Sequence, residues 1–309
     1  MVPAPPIFLK TAVLALPLIA LLVWADQTVP QAGVWALLLL SVSVGFVHGA
    51  LDVVLLPQRF VSLRLAALMF VAYLLLVLLL GWLLGAAISL ALWVLLLMSA
   101  WHFGEPYGRW DGLVPWKSGL TRAVVGGASV MLPVLLAPDQ LAMLLRDVVP
   151  AAGMRGWHVM AWLWLGLLAA WLLAGGMRYP RTLRYAWFEL IGCLALYMLF
   201  SPLMAFALYF GVYHAPVHIW RVWRAWLASS NSGSHLSTRV VVSAVGMTTV
   251  LTWLLGAGLW WFLTPGFVAD MNLSAALQWL IVAFAALTAP HLVLISLCAA
   301  FLTRPNTSR

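Results

Sequence analysis

The sequence predicts an all-α, polytopic membrane protein, and three observations predict it. Of its 309 residues 65% are hydrophobic and only 8% charged, where soluble domains carry roughly 25% charged residues. Apolar runs of about 20 residues, the length at which a helix crosses a bilayer, recur along the whole chain. The basic residues crowd into alternate connections between those runs. No polar stretch is long enough to build a second core, so 1–309 reads as a single integral-membrane helical domain.

Taken in order, the first run is 7–25, with Lys10 ahead of it and no small-residue cleavage site behind it, and it reads as an uncleaved span. Runs at 32–56, 63–82, 85–104, 118–137, 157–175, 183–200, 203–225, 239–263 and 275–301 come next, bounded by charges, Pro or Gly. Together they make about ten transmembrane helices. Only Ser201-Pro202 separates the seventh from the eighth, and a break at membrane depth has to be buried in protein or line a cavity.

Lys10, Arg59, Arg64, Arg109, Lys117, Arg122, Arg178, Arg181, Arg184, Arg221, Arg224, Arg239, Arg304 and Arg309 fall at the termini and the even-numbered connections. The odd-numbered ones hold Arg146 and Arg155 alone. The positive-inside rule then puts both termini in the cytoplasm, as a multi-pass protein of the cell's inner (plasma) membrane. The net charge of +8 is a topological signal, and no nucleic-acid partner is expected.

Five of the 7 histidines lie inside or at the edge of these runs: His48, His102, His214, His218 and His291. Imidazole is costly in hydrocarbon, and a bundle that keeps several turns them onto a shared polar site. On the expected topology all five, with Glu189 at the start of the seventh run, fall in the cytoplasmic half of the bilayer.

The local patterns agree. In Gly45-Phe-Val-His48-Gly49-Ala-Leu-Asp52, residues four apart share a helix face, so Asp52 is placed to accept from His48 and fix its tautomer. Gly45 and Gly49 form a small-xxx-small pair that admits a neighbouring backbone. His214 and His218, flanking Pro216, stand at the i, i+4 spacing that lets two imidazoles reach one ion. Ser99-Ala-Trp-His102-Phe-Gly104-Glu105 closes the fourth run. Pro290-His291 sits mid-span, where solvation is not available and a partner is required. Glu189 is either an acceptor for that site or a helix–helix contact. His158 and His235 read as ordinary interfacial histidines, and Cys193 and Cys298 as small core residues. Trp82, Trp110, Trp116, Trp157, Trp187 and Trp226 need only the aromatic-belt explanation. Phe206, Tyr209, Phe210 and Tyr213 are either packing or the wall of a tunnel for a long apolar ligand.

Phosphate-binding and serine-hydrolase motifs are lacking. Imidazoles with few carboxylates suit Fe, Zn or Cu rather than Mg or Ca. Two chemistries fit: O₂ activation at a non-haem Fe(II), favoured by more than three histidines, and hydrolysis of a lipid amide or ester by a zinc-bound water. A transporter would spread such residues through both bilayer halves. A non-catalytic carrier would bind a long apolar ligand without turnover.

Gly45-x-x-His48-Gly49-x-x-Asp52, Ser99-x-x-His102-Phe103-Gly104, Tyr209-Phe210-x-x-Tyr213-His214-x-x-x-His218 and Ala289-Pro290-His291 resemble, in order, the Brp/Blh family of membrane β-carotene 15,15′-dioxygenases. Ala215 and Val217 stand where that family's helical motif carries Ser and Arg. The resemblance implies cleavage of the central double bond of β-carotene to two retinals, with Fe(2+) as cofactor and O₂ as co-substrate. It implies His48, His102, His214 and His218 as metal ligands and Asp52, Glu189 and His291 as further catalytic-site residues. The implied partners are a lipid-soluble carotenoid, membrane lipid and a rhodopsin that accepts the retinal.

Overall fold

The computed structural model describes residues 20–29, 32–52, 63–105, 115–176, 184–230, 238–263 and 273–297, which contain helices and no strand. Helix α1 covers 20–28, and α2 is Ala32–Ala50 with a π turn at Ser41–Gly45. Next come α3 (Leu63–Gly85), α4 (Ile88–Phe103), α5 (Pro115–Leu136), α6 (Pro138–Leu145), α7 (Ala151–Trp171) and α8 (Arg184–Leu199). Helix α9 covers 202–230 with a π turn at Tyr209–His214. Helices α10 (Thr238–Leu263) and α11 (Leu273–Leu297) complete the set. Parts of α2, α3, α5, α7, α10 and α11 are long and apolar enough to cross a membrane; the apolar lengths of α4 and α8 are shorter. This is a helical membrane protein.

Most expected runs coincide with helices to within a few residues. The run 7–25 lies largely outside the described residues, as do Arg109, Trp110, His235 and Cys298. Helix α6 is an addition in the expected connection after the run 118–137. Ala137 leaves helical geometry (φ −140°, ψ 51°) and Pro138 restarts the chain, as proline does at a first helical position.

Helix α5 is the axis of the bundle: 72% of its apolar stretch is buried, against 17% for α3. Its neighbours dock hydrogen-bond donors onto it. Trp164 Nε1 donates to Val124 O (3.0 Å), Trp171 Nε1 to Thr121 Oγ1 (3.0 Å) and the Tyr197 hydroxyl to Ser129 O (2.6 Å). Helix α4 comes closer still. A Cβ on Gly126 would lie 2.0 Å from Ala100 O, and one on Gly104 2.0 Å from Arg122 O. Glycine is required at both because backbone meets backbone there.

The expected break between the seventh and eighth runs is real and capped. Ser201 is the N-cap of α9, with Pro202 in its first turn. Asp26 accepts from the Ser201 backbone N–H and hydroxyl, both at 2.6 Å, an acid at a helix N-terminus where the macrodipole favours it. The tryptophan expectation divides. Trp82 and Trp116 are exposed, but Trp157 and Trp226 are buried. These two pack at a tilt against Trp93 and Trp223, so for them packing replaces the belt.

Candidate metal centre

Two π turns set up the site. In α2 the Ser41 hydroxyl bonds back to Leu37 O and that of Ser43 to Leu39 O, a competition with the backbone that bends helices. In α9, Pro216 has no N–H to continue the ladder, and the Ala215 N–H reaches back to Phe210 O. Each π turn adds a residue, rotating the remainder of its helix by about 100°. The turns face each other, with Gly45 against the Phe210 ring and Gly211 against the Leu40 side chain, each too close for a Cβ. His48 stands just beyond the first turn, His214 ends the second, and His218 is one helical turn further on. His102 is held from the other side. Arg122 lies over the Trp101 ring (3.7 Å) and donates Nε to Trp101 O (3.0 Å), tying down the last turn of α4.

The structure brings all five membrane histidines together. The His48 ring centre lies 5.7 Å from that of His102, 5.4 Å from His214, 4.3 Å from His218 and 4.8 Å from His291. One possible ligand atom from each of His48, His102, His218 and His291 lies within 4.8 Å of the others. These four side chains are buried, and each leaves a ring nitrogen with no hydrogen-bond partner: Nε2 of His48, His218 and His291, and Nδ1 of His102. Buried polar atoms are normally satisfied, so orphaned nitrogens converging from four helices are what a metal-holding group of neutral donors requires. His214 joins from the edge, its Nε2 3.2 Å from Nε2 of His102.

Asp52 behaves differently from the expectation. It takes hydrogen bonds from His291 Nδ1 (2.8 Å, at Oδ1) and the Tyr73 hydroxyl (2.8 Å, at Oδ2), not from His48. Its donors come from α11 and α3, across the bundle rather than along α2. Sequence reasoning missed Tyr73, although a lone phenol in a Leu-rich helix was the available signal. The small-xxx-small pair also splits: Gly45 is a close approach, whereas a Cβ on Gly49 would meet nothing within 4 Å. Glu189 is buried but stands apart from the histidine group. It accepts from Tyr209 (2.5 Å) and Tyr213 (3.1 Å), fastening α8 to the π turn that carries His214. His158 bonds back to Met154 O on its own helix.

An apolar cavity reaches the cluster. His48, Asp52, Tyr73, His102 and His291 line it at one end, and Phe206, Phe210 and Phe284 line it further out, with Leu78, Leu255 and Ala283. Ala283 and His291 are eight residues apart on α11, about 12 Å along a helix axis. Leu78 both lines the cavity and is 36% exposed on the outer surface of α3. The aromatic residues of α9 therefore serve two purposes: Phe206 and Phe210 face the cavity, Tyr209 and Tyr213 face Glu189.

Fold and site together define a helical membrane protein whose buried imidazole cluster could hold a metal ion beside an apolar cavity. The family model described as beta-carotene 15,15′-dioxygenase matches residues 39–299, a span holding every residue of the cluster. The chain belongs to that family. A protein of an uncultured marine bacterium, 66A03, named beta-carotene 15,15′-dioxygenase, is 29% identical over 286 residues, covering 89% of this chain and 96% of that relative. No solved structure matches the chain.

Proposed function

We propose that this protein is a β-carotene 15,15′-dioxygenase of a bacterial inner membrane, cleaving the central double bond of β-carotene with one O₂ to give two retinals, each new aldehyde receiving one oxygen atom. The observation that carries this reading is the buried group of four histidines with unpartnered nitrogens opening onto an apolar cavity, in a chain of this family. A zinc hydrolase would draw on similar residues, but family membership selects oxygen chemistry, and zinc has no redox chemistry to offer.

The metal is iron(II), held by His48, His102, His218 and His291. Bound iron supplies the redox capacity by which O₂ reacts with the polyene; the remaining work belongs to the chain. His291 donates its Nδ1–H to Asp52, which leaves the lone pair of Nε2 for the metal. In this reading Nδ1 of His102 faces the metal, which leaves the proton on Nε2, 3.2 Å from Nε2 of His214. Phe206, Phe210 and Phe284 form an apolar wall that holds the polyene by contact area and keeps water from the reacting carbons. Tyr209 and Tyr213 anchor the π turn of α9 on Glu189 and keep His214 and His218 in register. The substrate enters sideways from lipid past Leu78. The whole chain forms one domain of ten spans with cytoplasmic termini, and a rhodopsin is the acceptor of the retinal.

The test is expression in cells that accumulate β-carotene. Under air the yellow colour fades and retinal accumulates; without oxygen the pigment persists. Undiminished β-carotene in aerated cells with well-expressed protein overturns the reading, and so does equal loss without oxygen, because central cleavage consumes O₂.

A further inference from the structure

We infer that Tyr73 is a positioning residue of the metal centre, acting through Asp52 on His291. The inference rests on the proposed iron site and deepens it. Between Arg64 and Trp82, Tyr73 is the sole residue of α3 whose side chain can donate a hydrogen bond, and its hydroxyl ends on Asp52 Oδ2 at 2.8 Å. The other carboxylate oxygen takes His291 Nδ1, also at 2.8 Å. Asp52 is 2% exposed and His291 3%, so the hydrogen bond between them is buried, and the one from Tyr73 is partly buried. Three helices are thereby linked in one chain of donors: Tyr73 on α3, Asp52 at the end of α2, His291 on α11.

A carboxylate turns easily about its terminal torsion, which has broad, shallow wells. With one oxygen bonded to His291 alone, Asp52 could rotate or take up a proton, and in either state it would hold the imidazole poorly. The Tyr73 hydroxyl satisfies the second oxygen and fixes the plane of the group. That in turn selects the His291 tautomer with its proton on Nδ1, leaving Nε2, which has no partner, as the free donor of the cluster. Removing the hydroxyl leaves a buried carboxylate oxygen unpaired. The phenyl ring that also lines the cavity would be unaffected.

Tyr73→Phe tests this in the full-length protein in detergent, using anaerobic titration with Fe(II) and with Co(II), whose visible bands report the ligand field. Outer partners of ligating histidines typically contribute 10–100-fold in metal affinity. We expect Tyr73→Phe to weaken both metals about 10-fold and to shift the Co(II) bands, with KM for β-carotene unchanged. Asp52→Asn should weaken binding at least as much, and adding Tyr73→Phe to it should cost less than a further 2-fold, since the phenol then has no carboxylate to act on. Wild-type affinity and bands in Tyr73→Phe overturn the inference. So does a double variant whose loss is the product of the two single losses, because Tyr73 would then act independently of Asp52. Thermal melting of metal-free protein serves as the folding control: a variant that melts early without metal, and regains wild-type affinity when measured well below its melt, has a structural role and also overturns it. Wild-type protein that binds neither metal overturns the iron reading itself, whereas wild-type binding with an indifferent Tyr73→Phe overturns this inference alone.

Discussion

Nε2 of His102 and Nε2 of His214 face each other at 3.2 Å inside the bundle. Two neutral imidazoles meet this way when one carries the proton and the other the lone pair, or when both lone pairs face one ion. Nδ1 of His102 has no hydrogen-bond partner, and the proposed ligand set, which uses that nitrogen, gives the proton to Nε2 and makes His214 the support of a ligand. The family resemblance had implied His214 among the four ligands. The structure instead groups His291 with His48, His102 and His218.

His214→Ala should therefore retain iron with affinity lowered about 10–100-fold, while His218→Ala loses it altogether. Iron content after equilibration against a chelator separates the two. Complete loss from His214→Ala would restore the ligand set implied by the resemblance.

Gly104, two residues from His102, is a second point of leverage. Its would-be Cβ lies 2.0 Å from a backbone oxygen of α5, and backbone does not yield as a side chain does. Gly104→Ala should destabilise the protein by about 1–3 kcal/mol, the usual cost of overpacking, and displace His102 with it. Thermal unfolding in detergent measures the first effect and iron content the second. Gly49→Ala is the contrast: the position is open, and replacing a helical glycine should stabilise by about 0.5–1 kcal/mol.

Leu78 stands where the cavity meets the outside of α3. Leu78→Trp should raise KM for β-carotene several-fold and leave kcat within about twofold, the pattern of a change that alters binding equally in ground and transition states. Iron content should be unaffected. A fall in kcat at constant KM would move the entrance elsewhere.

Much of this centre was legible in the sequence. Histidines at membrane depth had to be partnered, because hydrocarbon offers nothing else to bond to, and five of them together could be anticipated from cost alone. The Ser201-Pro202 break was equally plain. Other features depended on contacts the sequence does not record. Asp52 was assigned to His48 on helical periodicity, but its two oxygens are taken by donors from other helices, His291 and Tyr73. Glu189 has a hydrogen-bonding role in the structure, but on two tyrosines away from the histidine group. Trp157 and Trp226 lie near the ends of apolar runs, and only packing shows that they face inward.

The sequence alone determined a helical membrane bundle with buried imidazoles, because hydropathy and the expense of burying polar groups act residue by residue and need no coordinates. Tertiary structure decided which nitrogens are unpartnered, which carboxylate serves which ring, and that Tyr73 belongs to the set. Those outcomes turn on two opposed π turns and on backbone contact at glycine, where one added residue or one methyl group changes which side chains can meet.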